Sequence, residues 1–215
     1  MKTVLCFGDS NTHGSIAMRH VGDRRRHPKE ARWPSVMGKA LGGGWDVIAE
    51  GHGGRNAVFD DPVEGEHKNG LRILPALLES HRPLDLVIVM LGTNDLKARF
   101  SVPASDIAIG LERLVNAIGQ SDAGIDGAAP RVLLAAPVPV QEVGFLGDMF
   151  AGGAAKSRAL PSLLAEVAAR QKAEFVNLGE VAQVDMVDGI HLSAEAQASI
   201  GAAMADAVKG MFDGC

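Results

Sequence analysis

With 215 residues, 47% of them hydrophobic and 22% charged, the chain is long enough to bury a full core and has the composition of an ordinary soluble globular protein, expected as one domain over residues 1–215. The formal charge of −5 gives no reason to expect a nucleic-acid partner, and the basic run Arg24-Arg25-Arg26-His27 lies among acidic neighbours and reads as a solvated loop. The two cysteines, Cys6 and Cys215, offer neither a disulfide framework nor a metal-ligand cluster, and the opening apolar run Val4 to Phe7 is too short for a signal peptide or a membrane span, so a cytoplasmic protein is expected.

Short apolar runs alternate with amphipathic ones, the pattern of a parallel sheet with helices on both faces. Val4 to Phe7 reads as a first strand that runs directly into Gly8-Asp9-Ser10. A polar, Arg-rich connection to about Ala31 precedes a helix from Trp33 to Leu41, which Gly42-Gly43-Gly44 stops. Trp45 to Ala49 reads as the second strand, followed by the Gly-rich loop Gly51 to Asn56 and irregular chain to about Gly70. A helix is expected over Leu71 to His81. Leu84 to Leu91 is the clearest buried strand and ends in Gly92-Thr93-Asn94-Asp95. Ile107, Leu111, Leu114 and Ile118 then mark one apolar helical face. A fourth strand, Val132 to Ala135, opens a long loop, and Pro161 marks a kink or a late start in the helix expected from about Ala154 to Gln171. A fifth strand, Phe175 to Leu178, leads to the loop around Asp188 and His191. The last helix shows its stripe at Ile200, Met204, Val208 and Met211.

These elements predict an α/β fold, three layers around a five-stranded parallel sheet in the flavodoxin-like order 2-1-3-4-5. The order reverses between strands one and three, and ligands bind at such a switch point. Ser10 and Asn94 end those two strands. On their own Asp9 and Ser10 suit a polar, capping turn, but a serine at this place is also a candidate nucleophile if a base can take its proton. His191, with Asp188 three residues before it, is the best placed of the seven histidines, because the carboxylate can reach Nδ1 and leave Nε2 for Ser10. Asn94 could supply a side-chain N–H to a developing oxyanion, and Gly54 and Ser10 could supply backbone N–H groups. Asp95 reads as bracing its own turn. Asn11, His13 and His52 are candidates to line the substrate crevice. The histidines show no metal-site spacing, and Gly51-x-Gly53 lacks the third glycine of a dinucleotide fingerprint, so neither a metal nor a nucleotide site is expected.

Gly8-Asp9-Ser10, a glycine after strand two, Gly92-Thr93-Asn94-Asp95 and Asp188-Gly189-Ile190-His191 resemble, in order, the blocks of the SGNH (GDSL-type) hydrolases. The resemblance covers nearly the whole chain and is closest to the bacterial arylesterase and acyltransferase branch, including Arg32-Trp33 and Val187-Asp188-Gly189-Ile190-His191. It implies a single SGNH hydrolase domain with Ser10 as nucleophile, His191 as base, Asp188 as its partner, and Ser10, Gly54 and Asn94 as the oxyanion hole, all without a metal or organic cofactor. Asn11 stands where the family's name-giving motif has leucine, and His13 and Ser15 stand where that branch has tryptophan. The expected activity is hydrolysis of short-acyl carboxylic esters, acetyl to butyryl, because neither loop beside Ser10 offers an extended apolar groove. A carbohydrate acetylesterase or acyltransferase using the same triad, and a non-catalytic small-molecule binder on the same sheet, are the alternatives. By resemblance to the oligomeric arylesterases, the apolar loop Pro137 to Gly153 is expected to meet another subunit of a homo-oligomer and to wall the site mouth, rather than to fold back on its own core.

Overall fold

Side chains of β1 (Lys2–Gly8) alternate between two separate cores, Leu5 and Phe7 entering one and Val4 and Cys6 the other, with all four fully buried. A strand sealed on both faces must sit mid-sheet, which explains why the run carries no polar side chain. The computed structural model describes residues 1–212, so Cys215 lies outside the described residues. Its remaining elements are α1 (Ser10–His13), α2 (Trp33–Leu41), β2 (Trp45–Gly51), α3 (Gly70–His81), β3 (Leu86–Met90), α4 (Ala104–Gly119), β4 (Arg131–Ala136), α5 (Gly153–Gln171), β5 (Glu174–Asn177) and α6 (Ala194–Phe212).

The five strands are all parallel, in the order β2-β1-β3-β4-β5. The α3, α4 and α5 helices pack on the Leu5/Phe7 face, and α2 and α6 on the Val4/Cys6 face. The stripe Ile107, Leu111, Leu114 and Ile118 is entirely buried, as are Ile200, Met204 and Val208 of α6. Each such side chain contributes about 1.5–3 kcal/mol of burial. The α5 helix continues through Pro161, with Leu160 and Leu164 on either side both buried.

Three features depart from the pattern in the sequence. The basic run is not simply solvated: His27 is buried with Nε2 2.9 Å from the Leu192 carbonyl, and Arg26 Nε donates to the His13 carbonyl at 2.6 Å. The loop after β4 folds back on its own core, with Leu146 and Phe150 buried and Phe145 left 43% exposed. Asp95 braces the chain across from it as well as its own turn, accepting the Ala57 N–H at 2.9 Å and its own backbone N–H. No helix among the described residues is long and apolar enough to cross a membrane.

In register, Gly8 at the end of β1 faces Gly51 of β2 on one side and Met90 of β3 on the other. The turns that follow these three strands therefore converge at one edge.

Candidate active site

Gly8 is glycine because a Cβ there would collide with the Thr12 side chain, and Gly51 because one would run into the backbone of Thr12 and His13. The first turn of α1 can therefore nest against the ends of both strands. Asp9 caps that turn, its Oδ1 accepting the Asn11 N–H at 2.9 Å, and Ser10 is the first helical residue. Burial pushes the Asp9 carboxyl up to about 6, against the opposing pull of the Asn11 N–H and of the charges on His191, Arg55 and Lys97.

His191 arrives in the loop before α6, its Nδ1 2.6 Å from Asp188 Oδ2. The other oxygen, Oδ1, accepts the backbone N–H groups of Ile190 and His191, both at 3.0 Å. Oδ2 also accepts the Met18 N–H at 2.7 Å. Burial alone would raise the Asp188 carboxyl, but the His191 ring and these N–H groups outweigh it and hold it below the usual carboxylate range. An ionised Asp188 fixes the proton on Nδ1 and leaves the Nε2 lone pair as the basic end of the ring.

On the opposite side, the loop after β2 adopts a positive φ at Gly54 (+80°), a conformation that a side chain would oppose and whose Cβ would strike Glu64. Lys68 Nζ donates to the Gly53 carbonyl at 2.8 Å and so pins this turn. Asn94 Nδ2 donates to the Arg55 carbonyl at 3.1 Å and sits 3.4 Å from Asp9 Oδ2. Arg55 is buried over the Phe7 ring, donates to the Gly8 and Glu50 carbonyls, and is drawn down to about 10 by burial, which Glu50 and Asp9 only partly offset.

A cavity of about 570 Å³ collects Ser10, His191, Gly54 and Asn94 together with His13. Asp188 stands behind the ring of His191, fully buried. Asn11 and His52 are not among the lining residues: the Asn11 side chain turns inward to donate to the Ile190 carbonyl at 3.1 Å, and His52 lies against the His67 ring, centroids 5.6 Å apart. Sequence reasoning missed the wall made by Met18 to Arg25. The apolar character of Met18 and Val21 within an otherwise polar stretch was the only local signal. No group of three or more His, Cys, Asp or Glu side chains that could hold a metal ion occurs among the described residues.

A hydroxyl, an imidazole oriented by a carboxylate, and N–H donors across one cavity can together attack a carbonyl carbon and receive the resulting negative charge. Residues 6–198 match the GDSL-like lipase/acylhydrolase family. The chain belongs to this family. Among solved structures, Est24, a carbohydrate acetylesterase from Sinorhizobium meliloti, shares 41% identity at a TM-score of 0.94, covering 99% of this chain and 100% of its own. The Mycobacterium smegmatis aryl esterase shares 36% identity, also at 0.94, with the same coverage. A lipase/acylhydrolase from Enterococcus faecalis, 19% identical with a TM-score of 0.70 over 98% of this chain and 97% of its own, shares the fold. No curated protein matches the chain. As a GDSL-like acylhydrolase with such relatives, the chain is a carboxylic ester hydrolase of SGNH type, not a non-catalytic binder.

Proposed function

We propose that the protein hydrolyses short-acyl carboxylic esters, acetyl to butyryl, through an acyl-enzyme on Ser10. His191 Nε2 takes the Ser10 proton as Oγ attacks the carbonyl carbon. The oxyanion is received by the backbone N–H groups of Ser10 and Gly54 and by Asn94 Nδ2, whose 3.4 Å contact with Asp9 is the weaker of its two and releases that N–H for the task. His191 then protonates the departing alcohol. It next deprotonates the water that frees the acid from Ser10, while Asp188 holds the ring throughout.

The observation that carries this reading is the 2.6 Å Asp188–His191 contact at the wall of the cavity that also contains Ser10. Ser10→Ala should keep the fold and lose on the order of 10³-fold or more in kcat, and a fluorophosphonate should label Ser10 alone. Unchanged hydrolysis of p-nitrophenyl acetate by that variant would end the proposal.

A second reading, deacetylation of decorated sugars, is supported by the polar His13 and Ser15 in the cavity and by the 41% identity to a carbohydrate acetylesterase. A panel of acetylated sugars and aryl acetates separates the two. We place the enzyme in the cytoplasm and read it as a homo-oligomer. The exposed apolar side chains Phe145 (43%) and Val187 (40%) support assembly.

A further inference from the structure

Five fully charged side chains line the cavity: Asp23, Arg24, Arg25, Glu64 and Lys97. Four of them are matched within the protein. Arg25 grips Asp23 with two parallel contacts, Nε to Oδ1 at 2.8 Å and a terminal nitrogen to Oδ2 at 2.7 Å. Lys97 Nζ donates to Glu64 at 2.6 Å, and the buried Asp61 beyond it is bonded to Arg99 at 3.0 Å. Arg24 forms no ion pair among the described residues. One guanidinium is thus left at the cavity wall of a chain whose net charge is −5.

Burial, with positive charge added to it, lowers two histidines of the neighbouring loops. His13, itself on the wall, is held below its ordinary value by burial and by the charges of Arg26 and Arg32. His52 is pushed down to about 4 by burial and then by Lys68 and Arg55. Beside Arg24 the wall is apolar: Met18, Val21, Phe145 and Met149 offer a face to a flat carbon skeleton, and Val21 is 79% exposed.

We propose that Arg24 selects esters whose alcohol half carries a carboxylate on an apolar or aromatic scaffold. This deepens the esterase reading and rests on it. The scaffold lies on the apolar wall, the carboxylate meets the guanidinium at the rim, and the acyl group points to Ser10. Arg24 touches the leaving group away from the reacting carbonyl, so its effect belongs in KM and weakens as added salt screens it.

The test compares kcat/KM for 4-acetoxybenzoate with that for methyl 4-acetoxybenzoate, which differ in one charge. In Arg24→Glu the ratio of the two should fall by about tenfold relative to wild type, Arg24→Ala should lie between, and the change should appear in KM and shrink in high salt. Lys39→Glu, the same charge change on an exposed side chain at the end of α2, should leave the ratio unaltered. A ratio that moves less than twofold in Arg24→Glu, or that moves as much in Lys39→Glu, overturns the proposal. Failure of the esterase reading would show differently, as turnover of the neutral methyl ester that survives Ser10→Ala.

Discussion

Met18 donates its backbone N–H to Asp188 Oδ2 at 2.7 Å, so the segment walling the cavity is fastened to the same oxygen that orients His191. Wall position and base orientation are thereby coupled through one atom. Asp188→Asn would place an NH2 group where Oδ2 now accepts two hydrogen bonds, opposing the Met18 N–H and forcing the other tautomer on His191. The expected kcat loss is on the order of 10³–10⁴-fold, with faster hydrogen exchange at the Met18 amide. Kinetics on p-nitrophenyl acetate and amide exchange by NMR check both, and an unaltered Met18 amide would disprove the coupling.

Asn94 has its two amide hydrogens aimed at the Arg55 carbonyl and at Asp9. Asn94→Ala removes the proposed oxyanion donor and also leaves the Arg55 carbonyl short of a partner. Turnover should fall roughly 10²–10³-fold with KM little changed, because the donor acts on charge that develops only in the transition state. A rise in KM with kcat intact would instead make Asn94 a ground-state binding group.

β1, β3 and β4 were legible because a strand buried on both faces is a continuous apolar run, and α4 and α6 because their stripes repeat at helical spacing. Ser10, Asp188 and His191, the residues proposed as the triad, could be picked out because they occupy short local segments that follow strand ends. The wall from Met18 to Arg25 was not, since nothing within that stretch sets its place. Distant contacts do: Arg26 to the His13 carbonyl, His27 to the Leu192 carbonyl and Met18 to Asp188. Asn11 shows the same limit on a smaller scale. It adjoins Ser10 in sequence, yet on a single turn of helix its side chain points to Ile190 instead of the cavity.

Asp9 and Asp95 are buried carboxyls raised by that burial to about 6 and about 7. A folded-state value above the unfolded one means that the native protein binds the extra proton between the two values. The contribution of these two carboxyls should therefore decline as pH climbs from about 4 toward 7, by at most ~1.4 kcal/mol per pH unit for each proton, and level off above that, while His52, lowered to about 4, contributes in the opposite sense over the same range. Asp95→Asn keeps an oxygen to accept the Ala57 N–H without the charge, and should flatten the upper part of this decline. Urea unfolding of both proteins at a series of pH values measures it, and equal slopes would reject the assignment to Asp95.

Phe145 bears on assembly. It stays 43% exposed while its loop neighbours Leu146 and Phe150 are buried, and an aromatic ring left exposed favours a second copy as its cover. Phe145→Asp should shift the light-scattering mass toward that of a monomer. A wild-type protein that is already monomeric at micromolar concentration would exclude the contact.

Substrate range depends on what an acyl chain would touch once its carbonyl sits at Ser10. Each methylene that leaves water for an apolar wall gains about 0.8 kcal/mol, and almost nothing against polar groups. The segments that follow β1, β2 and β3 give the cavity His13, Ser15, Gly53, Gly54 and Asn94 beside Ser10 in the chain or across from it, and Ile190 adds one apolar side chain next to His191. The two glycines present no side-chain carbon, and the space a Cβ would fill at Gly53 is open. Apart from Ile190, the apolar lining residues lie on the two flanking loops, at Met18, Val21, Phe145, Leu146, Met149 and Phe150, which the proposed function gives to the alcohol half of the ester. Across p-nitrophenyl esters from acetate to laurate, kcat/KM at one pH should therefore peak between acetate and butyrate and fall as the chain lengthens. A maximum at octanoate or beyond would mean that the loop residues receive the acyl group, and the assignment of the two ends of the cavity would have to be exchanged.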